Sequence, residues 1–399
     1  MRGDRVDFEE TEEERMIAET SREIAGEFGP DYWREHEEEE KFGQEFWDTL
    51  VDNNFTGMII PEEYDGEGMG MLELEIAMDE MASNGCGMAP IWYLCVQEVF
   101  CSNPISRLGT EEEKEKYLPK LAKGMEGCMA LTEPDAGSNT LNTKTLAVKE
   151  GDEYIINGQK TFISNVDRAN VMLLITRTTP KEEVKRKSEG LTLFLVDLPD
   201  ESVSWEAMPK HGINYSHTCT VHIDDLIISE DSILGGNGRI GKGWQDLVEV
   251  LNPERISFGT AGVGIGTCAL KYAVEYANTR DVFGDPIGSY QGLQFPMAAS
   301  FAKLECARLM NRRAAWLLDH GKPYVADANL GKYMSVEAGM EACYNAMQAL
   351  GGYGYAKEQH VERWWREMQL CRLAPVTNQM SLAYIGQHIM GMPKSFRTV

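Results

Sequence analysis

Leu146-Ala147-Val148-Lys149-Glu150-Gly151-Asp152-Glu153-Tyr154-Ile155-Ile156 is the stretch on which the fold turns. Residues 146–148 and 154–156 are short β-prone runs, and Glu150-Gly151-Asp152 between them has the chemistry of a turn, so the segment predicts a hairpin. On its N-terminal side the apolar period is helical. Acidic faces at 9–14 and 111–115 alternate with apolar positions at three and four spacing, interrupted by Pro61 and the glycines of 66–70. On its C-terminal side further short strands are predicted at 171–176, 191–196 and 220–223, with the lysine-rich 180–189 as a solvated loop. From about 240 the period is helical again, in amphipathic stretches at 244–278, 289–319 and 324–349. Gly351-Gly352-Tyr353-Gly354 breaks that run, and a last helix is expected after Pro375. Helices, then strands, then helices make an α+β chain with segregated layers rather than βαβ units. The expected domains are helical 1–125, a β domain at 126–238 and a helical bundle at 239–399.

The chain has 399 residues, 43% hydrophobic and 26% charged, as in an ordinary globular protein with a large core. Its 64 acidic against 38 basic residues give a net charge of −26, which repels polyphosphate and disfavours nucleic-acid binding. Carboxylates at this density also predict a high-salt, halophilic setting, where screening relieves their repulsion. Nine scattered cysteines without a CxxC pair predict small buried residues in a reducing compartment, not a disulfide or zinc framework. The charged start, residues 1–15, has no apolar signal-like stretch, and the best apolar run, 191–198, is strand-sized. These features predict a cytoplasmic protein that does not enter a membrane.

Two motifs are weighed against other chemistry. Gly236-Asn237-Gly238-Arg239-Ile240-Gly241 satisfies GxGxxG, but no βαβ unit surrounds it, and Gly243 stands after Lys242 where a P-loop needs Ser or Thr. A glycine linker is the reading. His217 and His222 flank a strand without a third metal ligand in reach, so they read as structural and no metal site is expected. Gly262, Gly264 and Gly266 inside a helical pattern predict close helix contact. No GxSxG elbow supports a hydrolase.

The segment Ala130-Leu131-Thr132-Glu133-Pro134-Asp135-Ala136-Gly137-Ser138-Asn139 resembles the TEPGAGSD signature of the acyl-CoA dehydrogenase family. Leu108-Gly109-Thr110 with Lys116-Tyr117-Leu118-Pro119 resembles the family's GTEEQKEKYLPKLA, and Lys160-Thr161-Phe162-Ile163-Ser164-Asn165 its K-x-W-I-T-N strand. Arg280-Asp281-Val282-Phe283-Gly284 is similar to R-x-x-F-G, and the run from Gln348 to Gly354 to Q-x-x-G-G-x-G. The motifs keep the family's order over nearly the whole chain. The resemblance implies a helical N-terminal domain, a middle β-barrel-like domain and a C-terminal four-helix bundle. It also implies FAD, an acyl-CoA substrate oxidised between Cα and Cβ, electron-transfer flavoprotein as partner, and a homotetramer.

By that resemblance Met129, Leu131 and Thr132 line the flavin, and Phe162 and Ser164 cover its ring near N5. Arg280, Phe283 and Gln291, with Gln348, Gly351 and Gly352, meet the adenine-dinucleotide half of a neighbouring subunit's FAD. Thr377 and Gln379 match residues that follow the family's glutamate–glycine pair. Ser138, Asn252 and Arg255 lie toward the CoA and the base. The acyl pocket involves the helix of Tyr93, Leu94, Gln97 and Phe100, residues that read equally as packing.

The chemistry requires a carboxylate to take the α-proton and donors for the charge that develops on the thioester oxygen. The commonest family base is a glutamate in Y-E-G-T, nine residues after an arginine matched here by Arg366. That position holds Pro375, which has neither a carboxylate nor an N–H. Isovaleryl-CoA and long-chain members carry the base in a segment ending Glu-Arg, and Leu251-Asn252-Pro253-Glu254-Arg255 stands at that place. Glu254 is therefore the expected base, although a first-turn acid favoured by the helix dipole has the same sequence. A flavin monooxygenase or oxidase on the same scaffold, or a silent FAD or acyl-CoA binder, remains open at this point.

Overall fold

A computed structural model describes residues 9–394; residues 1–8, the first half of the charged start, lie outside the described residues. Thr11 opens the first helix with a reciprocal cap. Its Oγ1 accepts from the Glu14 N–H at 3.1 Å, and the Glu14 carboxylate accepts from the Thr11 N–H at 2.6 Å. Seven helices follow one another: α1 (Glu12–Glu27), α2 (Pro30–Glu39), α3 (Gln44–Asp52), α4 (Met71–Met81), α5 (Ala89–Leu94), α6 (Asn103–Leu108) and α7 (Glu111–Ala122). Thr110 caps α7 in the same way, so both acidic runs start helices, where the dipole favours them. A π-helical turn, Cys95–Ser102, joins α5 to α6.

Seven strands then form one curled sheet: β1 (Gly127–Ala130), β2 (Leu146–Glu150), β3 (Glu153–Ser164), β4 (Val171–Arg177), β5 (Leu191–Asp197), β6 (Val203–Ala207) and β7 (Thr218–Ser229). The order is β1-β4-β2-β3-β7-β6, with β5 on β4. The hairpin expected from the sequence is β2–β3, closing with Glu150 opposite Glu153 over Gly151 at φ 64°. β4 is buried along its length and pairs Val171–Leu174 in parallel with β1 and antiparallel with β5. Two strands were not anticipated. β1 has only four residues, and β6 is an edge strand exposed over most of its length, so neither shows alternation.

The C-terminal segment holds α8 (Gly243–Leu251), α9 (Glu254–Thr279), a small hairpin of β8 (Asp281–Val282) and β9 (Asp285–Pro286), α10 (Gln291–Asp319), α11 (Val325–Leu350), α12 (Val361–Leu373) and α13 (Asn378–Tyr384). Helices α9 to α12 pack as a bundle on which α4 also rests. The single stretch expected at 244–278 is two helices. Pro253 offers no N–H and its ring crowds the carbonyl four residues back, so α8 stops and α9 restarts. Gly262, Gly264 and Gly266 all mark close contact: a Cβ on Gly262 would stand 2.5 Å from the Ser335 backbone, one on Gly264 2.6 Å from Ala82 Cβ, and one on Gly266 2.8 Å from Gly339 Cα.

Eight of the nine cysteines are buried and Cys306 is exposed. Among the described residues no helix is long and apolar enough to cross a membrane. The 236–241 glycines form a loop ahead of α8, and His217 is engaged by Asp167, its Nδ1 lying 2.7 Å from Oδ2.

Candidate active site

The break at Pro253 places Glu254 at the start of α9, where the unpaired N–H groups favour an anion. Glu254 is buried, and its carboxylate accepts no hydrogen bond from any described residue. Burial pushes its pKa up to about 7, against the pull of the Arg255 and Lys332 charges. Two more polar atoms of this turn, Arg255 Nε and Ser257 Oγ, are buried without a partner. Buried polar groups are seldom left so, and two such atoms beside an unbonded carboxylate leave room for a ligand to complete them. Asn252 is tied in: its Oδ1 accepts from Arg255 Nη1 at 2.7 Å and its Nδ2 donates to Val248 O at 2.6 Å. A groove of about 380 Å³ lined by Arg107, Val248, Asn252, Lys322 and Tyr324 opens at this junction.

Across from this turn the α5 side presents Trp92. Its Nε1 donates to Ser216 Oγ at 3.1 Å, and its ring meets Phe258, one helical turn beyond Glu254, at 6.3 Å between centroids. The residues expected on the acyl pocket are largely committed elsewhere. Tyr93 Oη accepts from the Gly43 N–H and donates to Tyr215 O, while Gln97 Nε2 donates to Leu121 O and Met125 O. Leu94 is in the core and Phe100 packs against it. Of the two readings offered for this helix, packing fits these bonds.

The turn carrying Pro375 runs from the end of α12 into α13. Lys332, fully buried on α11, donates from Nζ to Cys371 O at 2.6 Å, Val376 O at 2.7 Å and Asn378 Oδ1 at 2.6 Å. Thr377 caps α13 through Met380 N–H, and Gln379 is exposed beside it. The sequence reading did not single out Lys332. A lysine in a helical pattern reads as surface, and its acceptors lie 39 to 46 residues further on.

A second group of residues gathers where β1 leads toward β3. The Thr161 N–H donates to Thr132 O at 2.8 Å, and Lys160 Nζ bonds Leu131 O at 3.1 Å and Glu133 Oε1 at 2.8 Å. This buried pairing of two motif residues, Glu133 and Lys160, was also missed as an interaction; both were visible inside the quoted segments. A β-bulge between Lys160 and Ile163 turns Phe162 outward, 65% exposed at φ 59°. An L-residue there is strained, and such strain is retained where the surroundings or a ligand use it. Met129, Leu131, Thr132 and Ser164 are half-buried around it, and Ser138 is exposed.

The remaining predicted residues lie elsewhere. Arg280 ends α9, Phe283 tips the β8–β9 hairpin at 96% exposure, and Gln291 starts α10. Gln348, Gly351 and Gly352 end α11, and the contact of Tyr276 with Tyr353 brings the two sets together. They stand a whole α9 away from Glu254, about 39 Å for 26 residues.

Comparison with known proteins settles the family. Residues 11–125, 128–226 and 241–390 match the acyl-CoA dehydrogenase N-terminal, middle and C-terminal domains in turn. The chain belongs to the acyl-CoA dehydrogenase family. It is 34% identical over 392 residues to acyl-CoA dehydrogenase FadE12 of Mycobacterium tuberculosis, covering 98% of this chain and 99% of that protein. It is 32% identical over 373 residues to the caffeyl-CoA reductase–Etf complex subunit CarC of Acetobacterium woodii, covering 93% and 96% of the two chains. The butyryl-CoA dehydrogenase structure from Megasphaera elsdenii superposes with a TM-score of 0.91 at 28% identity, covering 96% of this chain and all of that one. The protein is thus an FAD-dependent oxidoreductase of this family, with the family fold. Its own surface fits the cofactor: an exposed, strained Phe162 beside half-buried Met129, Leu131, Thr132 and Ser164 is an aromatic platform with polar edges.

Proposed function

We propose that this protein oxidises an acyl-CoA thioester to the trans-2-enoyl-CoA, with Glu254 taking the α-proton. The observation that carries the reading is the state of Glu254: buried, without a hydrogen bond, poised near pH 7, and flanked by two orphaned polar atoms. Bound FAD supplies the acceptor for the β-hydride at N5. Glu254 Oε, ionised above about pH 7, receives the α-proton, and its desolvated setting excludes competing water. Arg255 and Asn252 orient the thioester arm at the groove, and Ser138 meets the CoA. Pro375 contributes no N–H to the thioester oxygen.

Phe162 and Ser164 cover the flavin ring, and Met129, Leu131 and Thr132 line its edge. Thr377 and Gln379 complete the cofactor site. Arg280, Phe283, Gln291, Gln348, Gly351 and Gly352 serve the dinucleotide half bound by a neighbouring subunit, which their distance from Glu254 supports. A homotetramer follows, supported by the aromatic surface of Phe283, Phe295, Phe301, Tyr353 and Tyr355. Electron-transfer flavoprotein is the onward acceptor, in keeping with the relative named as part of an Etf complex. The reaction places the enzyme in fatty-acid β-oxidation.

Anaerobic titration of the holoprotein with a panel of acyl-CoAs, following the flavin's visible absorbance, tests the reading beside Glu254→Gln. Bleaching in the parent and not in the variant supports it and names the acyl class. Bleaching in both removes Glu254 from its role, and bleaching in neither removes the dehydrogenase reading.

A further inference from the structure

The bundle leaves almost nothing between α9 and α11. The two helices run parallel, Gly262 against Ser335 and Gly266 against Gly339, each contact too close for a Cβ. Asn311 on α10 bridges the same level lower down. Its Nδ2 donates to Ile256 O at 3.1 Å, and its Cα lies 3.3 Å from where a Cβ on Gly331 would be. Ile256 is two residues from Glu254 and Gly331 is next to Lys332, so the turns bearing the carboxylate and the ammonium are held side by side.

All three N–H groups of Lys332 are spent on Cys371 O, Val376 O and Asn378 Oδ1, acceptors that straddle Pro375. None of them is an anion, so within its own hydrogen bonds the buried charge stays uncompensated. The titratable and charged groups facing Glu254 are Arg255 on its own helix, Lys332 on α11 and the Cys95 thiol of the π-helical turn. Those facing Lys332 are Glu254, Arg255, Glu337 and Cys371. Arg255 is only half-buried and is bound to Asn252. Lys332 is therefore the fully buried cation of the set.

We infer that Lys332 is a positioning residue for the reaction: it pins the turn on both sides of Pro375 and, as the buried cation on the turn that Asn311 holds against the Glu254 turn, keeps that base in its ionised form. The inference rests on the reading of Glu254 as the base. Burial pulls the Lys332 ammonium down to about 8, with Glu254 among the anions that hold its charge, and Lys332 in turn favours the Glu254 carboxylate.

A strut that only holds the turn would affect rates without moving a titration, and the test turns on that difference. Lys332→Gln keeps hydrogen-bond donors and removes the charge; Lys332→Arg keeps the charge. Two readouts are taken on the holoprotein. One is the acid limb of the pH profile of flavin reduction by acyl-CoA. The other is the infrared titration of the carboxyl band that Glu254→Gln abolishes. In Lys332→Gln both midpoints are expected to move up by about one pH unit, a tenfold change in the protonation constant, and Lys332→Arg is expected to restore them. Unmoved midpoints in a folded Lys332→Gln protein overturn the inference while leaving Glu254 as base. Unaltered reduction in Glu254→Gln overturns the base reading itself. The reciprocal measurement needs only Glu254→Gln. Nitrogen-15 NMR of the Lys332 ammonium is expected to show its titration falling by a similar amount, and an unchanged Lys332 there also overturns the inference.

Discussion

Glu133 and Glu254 are both 5% exposed, yet one is saturated with partners and the other has none. Glu133 accepts from Lys160 Nζ at 2.8 Å, the Thr145 N–H at 3.0 Å and the Lys144 N–H at 2.7 Å. Burial pushes its pKa upward, but the Lys160 charge and these donors more than offset that and hold it below the ordinary carboxylate range. Glu254 has two cations in its neighbourhood and no donor, and burial wins, taking it to about 7. Depth alone therefore does not make a reactive carboxylate. What distinguishes the pair is whether the fold completes the hydrogen bonds or leaves them open.

Substitution separates the two most sharply. Glu254→Gln is expected to slow flavin reduction by about 10²–10⁴-fold, the usual worth of a general base, with no loss in unfolding free energy. Lys160→Met is expected to do the opposite. Stranding Glu133 costs about 3–5 kcal/mol in urea unfolding, and a variant as stable as the parent would dissolve the contrast. A pH series sharpens it. With Glu254 as the base proposed above, reduction should rise about tenfold per unit up to pH 7 and then level off, because only the ionised carboxylate takes a proton.

Stability should show the reverse sign. The folded-state pKa of Glu254 lies above the unfolded value near 4.5, so the folded protein binds the extra proton between the two. Stability from this group is lost as pH rises from about 4.5 to 7, on the order of 3 kcal/mol, and Glu254→Gln should flatten that slope. A smaller effect concerns the platform. Phe162→Gly relieves the φ 59° strain, so the apoprotein should gain about 1 kcal/mol while FAD dissociates several-fold faster. Smallest is the salt response: with a net charge of −26, Tm should climb by a few degrees between dilute buffer and molar NaCl, and an unchanged Tm would remove the high-salt reading.

Much of this was legible in the chain itself. The β2–β3 hairpin shows because strand residues flank a glycine turn, and α1 and α7 show because acidic positions at 9–14 and 111–115 alternate with apolar ones at helical spacing. α12 was missed although Val361, Trp364, Met368 and Cys371 keep helical spacing; its start, His360 at φ 55°, has no side-chain cap to announce it. Glu254 was reached through family resemblance, because a first-turn glutamate after Asn-Pro is otherwise an ordinary helix start. Lys332 and the Glu133–Lys160 pair depend on acceptors distant in sequence, and such pairings leave no local pattern to read.

The glycine seam between α9 and α11 has a consequence for how this protein can change. A Cβ on Gly339 would stand 2.2 Å from the Gly262 carbonyl, so backbone rests on backbone and no side chain can be trimmed or enlarged to alter the spacing. Wherever mutation remodels the acyl site, that joint acts as its fixed datum. Libraries aimed at new acyl chains should recover no changes at Gly262, Gly266 or Gly339.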